Sequence, residues 1–433
     1  MNKQIPKLVI ADTQGRIFPH PSLEGVGMEG GAFFRLSECD LIKLPYGSEL
    51  FSLPDRLAAC YDPQTKKNTI IEINPFSKKK ERCFPVAAFI SPGFTVTYNS
   101  AYVEMPKSSV LPLFSYAVVV FCKGGFYVAA IQIDKGLRHD LRHMDMRKIE
   151  QNARKFTKLF PSNRLIKHLG TCALTYGCPN AKNFFLHKYE APLPVSPLCN
   201  ARCAGCISYQ PKKNCSAAQP RIKFVPKPWE IAEAALFHIS NTANPIVSFG
   251  QGCEGEPLLF WDIIERSIRL IRAKTAKGLI NLNTNASKPE AVGRLFDAGL
   301  DSMRASLNSA REDYYTRYYK PSRYTFGDIL RSIKLAKRKN GFVSANYLTM
   351  PGFTDSEDEF TALKRFIDDY RIDMIQWRNL NFDPMEYFRI LKIPANRFKT
   401  IGIRKEISLI KKHFPSLMMG YFNPSKGQIR HHS

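Results

Sequence analysis

From about residue 190 onward, short apolar runs alternate with longer stretches whose apolar residues recur at helical spacing. The runs are Ile246–Phe249, Leu279–Asn283, Ser302–Leu307, Phe342–Met350 and Met374–Leu380, with a first one near Pro192–Val195. Between them lie Trp229–Ser240, Pro257–Lys274, Pro289–Ala298, Phe326–Lys339 and Asp355–Tyr370. Short runs bounded by turn residues read as buried strands, and the longer amphipathic stretches read as helices. Strand–helix alternation predicts a parallel sheet with right-handed crossovers. Six such units fall short of the eight of a closed α/β barrel. The pattern alone fits an open partial barrel or a doubly wound sheet.

The leading half reads differently. Residues 1–98 are rich in Pro, Gly and short apolar runs, which predicts an irregular α+β or β-rich region. Phe114 to Ile133 is the most membrane-like stretch, but Lys123-Gly124-Gly125 interrupts it. A Gly-Gly turn between β-branched, aromatic-rich runs predicts a hairpin of two core strands, not a membrane span. From Arg138 to His168 the pattern turns polar and helical, with Met144, Ile149, Phe156, Leu159 and Phe160 near helical spacing. The Pro-rich stretch Tyr189 to Pro197 reads as a linker. The expected division is an accessory α+β domain over 1–185, the strand–helix unit over 186–388 and a basic segment over 389–433.

Composition adds limits. The 433 residues are 44% hydrophobic and 23% charged, an ordinary globular balance with room for two or three domains. Lys and Arg number 63 and Asp and Glu 38, so the net charge is 63 − 38 = +25. That surplus favours anionic partners, among them nucleic acid, and it is equally compatible with simple solubility. The last stretch, 391–433, carries nine Lys/Arg and a single acid, Glu406. The first ten residues, MNKQIPKLVI, lack the apolar core of an export signal, which predicts a cytoplasmic protein. Thiols then stay reduced, and the 11 cysteines call for something other than a disulfide framework.

Cys199-Asn200-Ala201-Arg202-Cys203-Ala204-Gly205-Cys206 is C-x3-C-x2-C. Three thiolates this near in sequence close on one metal centre if the backbone wraps around it, and Gly205, Ala201 and Ala204 permit the wrap. A structural zinc site uses four closed ligands, whereas a cluster that does chemistry leaves a position open. Cys215 stands nine residues on as a fourth ligand for the zinc reading, and buried inert cysteines are common.

This spacing after a first strand, with strands and helices alternating behind it, resembles the radical S-adenosylmethionine (radical SAM) enzymes. The resemblance implies that Cys199, Cys203 and Cys206 hold a [4Fe–4S] cluster whose remaining iron takes the amino and carboxylate groups of SAM. Gly250-Gln251-Gly252-Cys253-Glu254-Gly255-Glu256-Pro257 is similar to the family's Gly-Gly-Glu-Pro segment, which meets the SAM amine. Gly255, Glu256 and Pro257 are the matching residues, with Glu256 as the candidate contact. The same stretch spells G-x-G-x-x-G, the dinucleotide fingerprint. Its Gly-Glu-Pro would set a carboxylate where a pyrophosphate has to lie, which argues against that reading. Asn283 and Asn285 lie in a segment resembling the family's Thr-Thr-Asn-Gly strand end, Ser306 in one resembling its Val-Ser-Leu-Asp strand, and Asn346 on the fifth strand. The resemblance implies SAM contacts for these strand ends; a plain turn role is the alternative. Arg378 is a candidate for a substrate carboxylate or phosphate, or for a helix cap.

Two departures stand out. Gly205 occupies the position where the family carries a bulky residue against adenine, so Ile207 or Tyr209 is expected to take that role. Glu254 replaces the first glycine of Gly-Gly-Glu-Pro. The resemblance covers about residues 190–383 and implies an α/β fold, a partial (β/α)6 barrel with the additional N-terminal α+β domain. It implies reductive cleavage of SAM to a 5′-deoxyadenosyl radical that abstracts hydrogen from a substrate, with a flavodoxin- or ferredoxin-like electron donor. The substrate is unknown; the charge permits an anionic one, RNA included. The alternative from another class is a non-enzymatic zinc-binding RNA-interaction protein using Cys199, Cys203, Cys206 and Cys215. Cys172 and Cys178 are open to a second cluster with help from Cys83, Cys122 or Cys215, but without a tight ligand run they read better as packing residues. His139 and His143 sit four apart and read as a surface helix.

Overall fold

Lys123 and Gly124 both take positive φ, 50° and 72°, the two-residue turn whose twist matches its flanking strands. Strands Ala117–Cys122 and Gly125–Gln132 pair antiparallel across it, with Cys122 opposite Gly125. The interrupted apolar run is therefore a hairpin. It belongs to a 13-stranded sheet built between Lys7 and Gln132, and every pairing in that sheet is antiparallel. Val9, Val86, Val119, Val128 and Ala130 form one of its apolar cores. This is a computed structural model, and it describes residues 5–211, 216–394 and 399–430.

Three helices follow, α1 (Met146–Leu159), α2 (Arg164–Leu174) and α3 (Pro179–Phe185). Asp145 caps α1 by accepting from the Arg147 and Lys148 amides, and Asn163 caps α2 by accepting from Ile166. Ile149, Phe156, Leu169 and Phe184 join the main core, while Leu159 stays exposed. His139 and His143 do not share a helix. His143 ends a single 3-10 turn, Leu141–His143. His139 precedes that turn, with its Nε2 2.8 Å from Asn180 Oδ1 and its ring edge-on to Phe422. Burial pushes the His139 imidazole down to about 4, so it is neutral and structural.

Beyond α3 a second sheet of seven strands forms, and it is parallel throughout. Strands Glu190–Pro192, Ile246–Phe249, Leu279–Thr284, Ser302–Leu307, Phe342–Thr349, Met374–Asn379 and Met418–Gly420 lie side by side in chain order. The crossovers run through α4 (Pro228–Asn241), α5 (Trp261–Arg272), α6 (Pro289–Asp297), α7 (Glu312–Tyr319), α8 (Phe326–Arg338), α9 (Glu357–Tyr370), α10 (Pro384–Leu391) and α11 (Ile403–His413). Helices cover one face of the open sheet, and the carboxyl ends of its strands gather at one mouth, the half-barrel form of an α/β barrel. Every residue of Leu279–Thr284 is buried, as strands sheltered on both faces are.

The half-barrel has seven strands where the apolar pattern shows six. The seventh, Met418–Gly420, is three residues long, too short to carry a period. It pairs Met418 with Met374 and Gly420 with Gln376. The stretch read as a basic tail is thus partly integral: α11 buries Ile403 and Ile410 and delivers this strand to the sheet edge. No helix among the described residues is long and apolar enough to cross a membrane.

Two of the contacts that fix the antiparallel sheet to the half-barrel lie close to the site. At the mouth, the Val96 amide donates to Asn379 Oδ1 at 2.8 Å, and Asn379 Nδ2 donates to the Phe94 carbonyl at 3.0 Å. Nearby, Arg56 and Asp383 form a wholly buried ion pair at 3.1 Å. Asp383 also accepts from the Leu111 amide at 3.0 Å and caps α10 through Met385 and Glu386. Removing one partner of a buried pair strands the other charge. Asp383→Ala is expected to lower the unfolding free energy by roughly 3–5 kcal/mol in urea titration. A loss within the scatter of surface substitutions would contradict the role given to this pair.

Candidate functional site

The path to the cysteines is set by a backbone pairing. After Glu190–Pro192 the chain stays extended, and the Leu193 amide donates to the Ser248 carbonyl at 2.8 Å. The loop leaving strand Ile246–Phe249 then runs beside it. The Gly255 amide donates to the Ser196 carbonyl at 2.6 Å and the Glu256 amide to the Leu198 carbonyl at 2.8 Å. A Cβ on Gly255 would sit 1.9 Å from the Leu198 oxygen, so only glycine allows this approach. Gly250 has φ 75°, and a Cβ there would lie 1.7 Å from the Asn283 oxygen.

Glu254, which replaces a glycine of the family motif, is a staple for that pairing. One of its carboxylate oxygens accepts from the Val195 and Ser196 amides at 2.8 and 3.0 Å, and the other from Gln251 at 2.6 Å. Burial raises its carboxyl to about 7 against the pull of those amides.

The cysteine loop is held from the opposite side by the end of α7. The Arg202 and Ala204 amides donate to the Tyr319 and Tyr318 carbonyls at 3.0 Å each, and the Ser322 amide donates to Asn200 at 2.8 Å. Gln210 Nε2 closes the turn by donating to the Ala204 and Cys206 carbonyls at 3.0 and 2.8 Å. Cys199, Cys203 and Cys206 thereby line one cavity of about 350 Å³. Burial pushes the Cys199 thiol up to about 11, with the Glu256 charge adding to it, and pushes Cys203 well above the usual thiol range. Thiols so placed are poor free nucleophiles; a bound metal is what holds such groups as thiolates.

The seven candidate SAM contacts lie on this cavity: Gly255, Glu256 and Pro257 from the loop, Asn283, Asn285, Ser306 and Asn346 from the strand ends. Their hydrogen bonds separate them. Glu256 Oε1 accepts from the Leu258 amide at 3.0 Å and the Thr284 hydroxyl at 2.5 Å, while Oε2 accepts from the Asn285 amide at 2.8 Å. Three of roughly four acceptor positions on the carboxylate are therefore spent fastening the loop to strand Leu279–Thr284. Asn285 Nδ2 donates to Asn200 Oδ1 at 2.8 Å and braces the cysteine loop. Asn283 donates to the Gly250 carbonyl at 3.1 Å. Asn346 differs, because its Oδ1 is buried without a partner among the described residues.

Two lining residues, Arg304 and Tyr318, are passed over by the motif reading. Arg304 and Ser306 alternate along one face of strand Ser302–Leu307, and a charge inside an otherwise buried strand points to a polar cavity. Arg304 Nη1 donates to Gln376 Oε1 at 2.8 Å, while its buried Nε has no partner among the described residues. Arg378 caps no helix: its Nη1 donates to the Tyr421 carbonyl at 3.0 Å and its guanidinium lies 4.2 Å over the Tyr421 ring. Tyr318 explains Gly205, since a Cβ at Gly205 would meet the Tyr318 hydroxyl at 2.6 Å. Tyr318 of α7 thereby sets an aromatic ring on the cavity wall beside the cysteine loop. Ile207 lines the cavity, whereas Tyr209 is 48% exposed and packs under Arg221. Cys215, the fourth ligand of the zinc alternative, lies outside the described residues.

Residues 193–363 match the Radical SAM superfamily, and this stretch belongs to that enzyme superfamily. Among characterised proteins, the FeMo cofactor biosynthesis protein NifB of Klebsiella pneumoniae is 28% identical over 179 residues. That match covers 38% of this chain and 38% of NifB, so the chain spans well under half of that relative. A radical SAM methyltransferase from Sphaerobacter thermophilus superposes with a TM-score of 0.35 at 14% identity, over 48% of this chain and 65% of that one. The FeFe-hydrogenase maturase HydG from Carboxydothermus hydrogenoformans gives 0.37 at 13% identity, over 67% and 74%.

Gly255→Ala is expected to push the two loops apart. Overpacking of this kind costs roughly 1–3 kcal/mol. Its thermal midpoint should fall and its iron uptake on anaerobic reconstitution should drop several-fold. Iron uptake equal to that of the parent would contradict the close approach.

Proposed function

We propose that this chain binds a [4Fe–4S] cluster through Cys199, Cys203 and Cys206 and binds SAM in the cavity beside it. The observation that carries the reading is the cavity itself. Three thiols, and no fourth among the described residues, share its wall with a backbone-lined loop and a row of strand-end polar groups. Three thiolates satisfy all but one iron of such a cluster, which suits the donor set. When bound, cluster and SAM supply a one-electron cleavage of SAM and a 5′-deoxyadenosyl radical that takes hydrogen from a substrate.

The residues divide the remaining work. Glu254 and Glu256 hold the loop rigid, so that backbone carbonyls near Gly255 are free for the SAM amine. Asn346 Oδ1 and Arg304 Nε, buried and unspent, are the donor–acceptor pair left for polar groups of a ligand. Arg304 and Arg378 together favour an anion at the inner end of the cavity, either the SAM carboxylate or an acidic group of the substrate. Tyr318 gives the adenine or the substrate an apolar wall. Residues 1–185 reach the mouth where Phe94 and Val96 meet Asn379, and we assign that region substrate choice. A low-potential one-electron donor of the flavodoxin or ferredoxin type is required, and a cytoplasmic setting suits the unprotected cluster.

Protein purified without oxygen, reconstituted with iron and sulfide and reduced in the presence of SAM should be brown and release 5′-deoxyadenosine. Cys203→Ala should abolish both colour and product, while Cys178→Ala mostly spares them. Iron retained in Cys203→Ala, or a colourless parent with tightly held zinc at these thiols, would overturn the reading.

A further inference from the structure

A second group of soft ligands lies outside the cavity. His168 and Cys172 stand four residues apart on α2, so one helix face carries both. Cys253 arrives from the loop after strand Ile246–Phe249. Cys172 Sγ lies 3.4 Å from His168 Nε2. The ligand atoms of His168, Cys172 and Cys253 all fall within 4.8 Å of one another. Cys172 and Cys253 are 1% and 4% exposed, and His168 is half-buried.

The spacing selects the kind of centre. Zinc–sulfur bonds of about 2.3 Å and zinc–nitrogen bonds of about 2.0–2.1 Å set tetrahedral ligand atoms roughly 3.5–3.8 Å apart. The observed group needs only a small closure to reach that. Thiolates bound to separate irons of one cluster stand wider, because each serves its own metal. Two thiols and an imidazole are also the donor set that zinc favours over harder divalent ions.

We propose that His168, Cys172 and Cys253 bind a single zinc ion that joins α2 to the loop carrying Glu254, Gly255 and Glu256. The fourth corner is left to water or to Cys178, whose amide donates to the Cys172 carbonyl at 2.9 Å. Asn180 of α3 already ties that loop to the leading helices, with its Nδ2 3.2 Å from Gln251 Oε1. The ion makes the same connection at the next turn of the loop. The site uses none of Cys199, Cys203 and Cys206, so it stands or falls apart from the proposed radical chemistry.

The full chain carrying Cys199→Ala, Cys203→Ala and Cys206→Ala, purified anaerobically without chelator, separates this site from the cavity thiols. Elemental analysis should find about one zinc per chain and no sulfide-bound iron. Adding Cys172→Ser and Cys253→Ser should remove the zinc while the far-ultraviolet circular dichroism persists. Cobalt exchanged into the triple variant should give thiolate-to-cobalt charge transfer and the intense visible bands of a tetrahedral site. If the Cys172/Cys253 variant does not fold, the cobalt spectrum and its loss in His168→Ala decide. Absence of zinc together with absence of the tetrahedral cobalt spectrum would overturn the proposal. So would zinc retained after both serine substitutions, iron with sulfide in the triple variant, or a Cys172–Cys253 disulfide in the anaerobic protein.

Discussion

The site depends on two short stretches of backbone lying in contact, Ser196–Leu198 and Gly255–Glu256. Their two hydrogen bonds, at 2.6 and 2.8 Å, set the origin of the cysteine loop against the loop that follows the second parallel strand. No side chain fits between them at Gly255. Everything chemical in the cavity is placed from that seam. The cysteines wrap on one side of it, and the strand-end polar groups stand on the other. A half-barrel suits the arrangement because its strand ends are rigid and aim at one mouth.

Two buried carboxylates hold the seam, and their energetics are opposed. Burial raises both Glu254 and Glu256 to about 7, a cost of placing an acid away from water. Backbone amides and the Thr284 hydroxyl offset the cost by donating to them, three hydrogen bonds to each. Charge-assisted bonds to fixed backbone donors also give orientation, which neutral loop residues would not supply. The glutamate that departs from the family motif is thus explained by structure. Its side chain grips the chain leading to Cys199.

Much of this is legible in the sequence alone. Five of the six apolar runs coincide with strands, the first meets its strand Glu190–Pro192 only at Pro192, and Lys123-Gly124 turns where a hairpin is expected. The short cysteine spacing and the glycine-rich loop point at one cavity because both sit at the carboxyl ends of adjacent strands. What escaped the sequence did so for physical reasons. Met418–Gly420 is too brief to show alternation and is fixed by its neighbour Met374. Arg304 reads as an interruption of a strand until its face is known. Tyr318 is one tyrosine of several in α7, and only the approach of its hydroxyl to Gly205 gives it a role. His168, Cys172 and Cys253 come from distant stretches of chain, so no local spacing could have joined them. That Glu256 and Asn285 spend their hydrogen bonds on the loops was likewise invisible, because a motif names residues and not their partners.

The central claim is that three thiols leave one metal corner facing the cavity and that SAM fills it. Electron paramagnetic resonance of the reduced protein, with hyperfine detection and SAM isotopically labelled at the amino nitrogen, addresses that corner directly. The account predicts a cluster signal that shifts on adding SAM and couples to the labelled nitrogen. A cluster signal indifferent to SAM, with no coupling to that nitrogen, would contradict it.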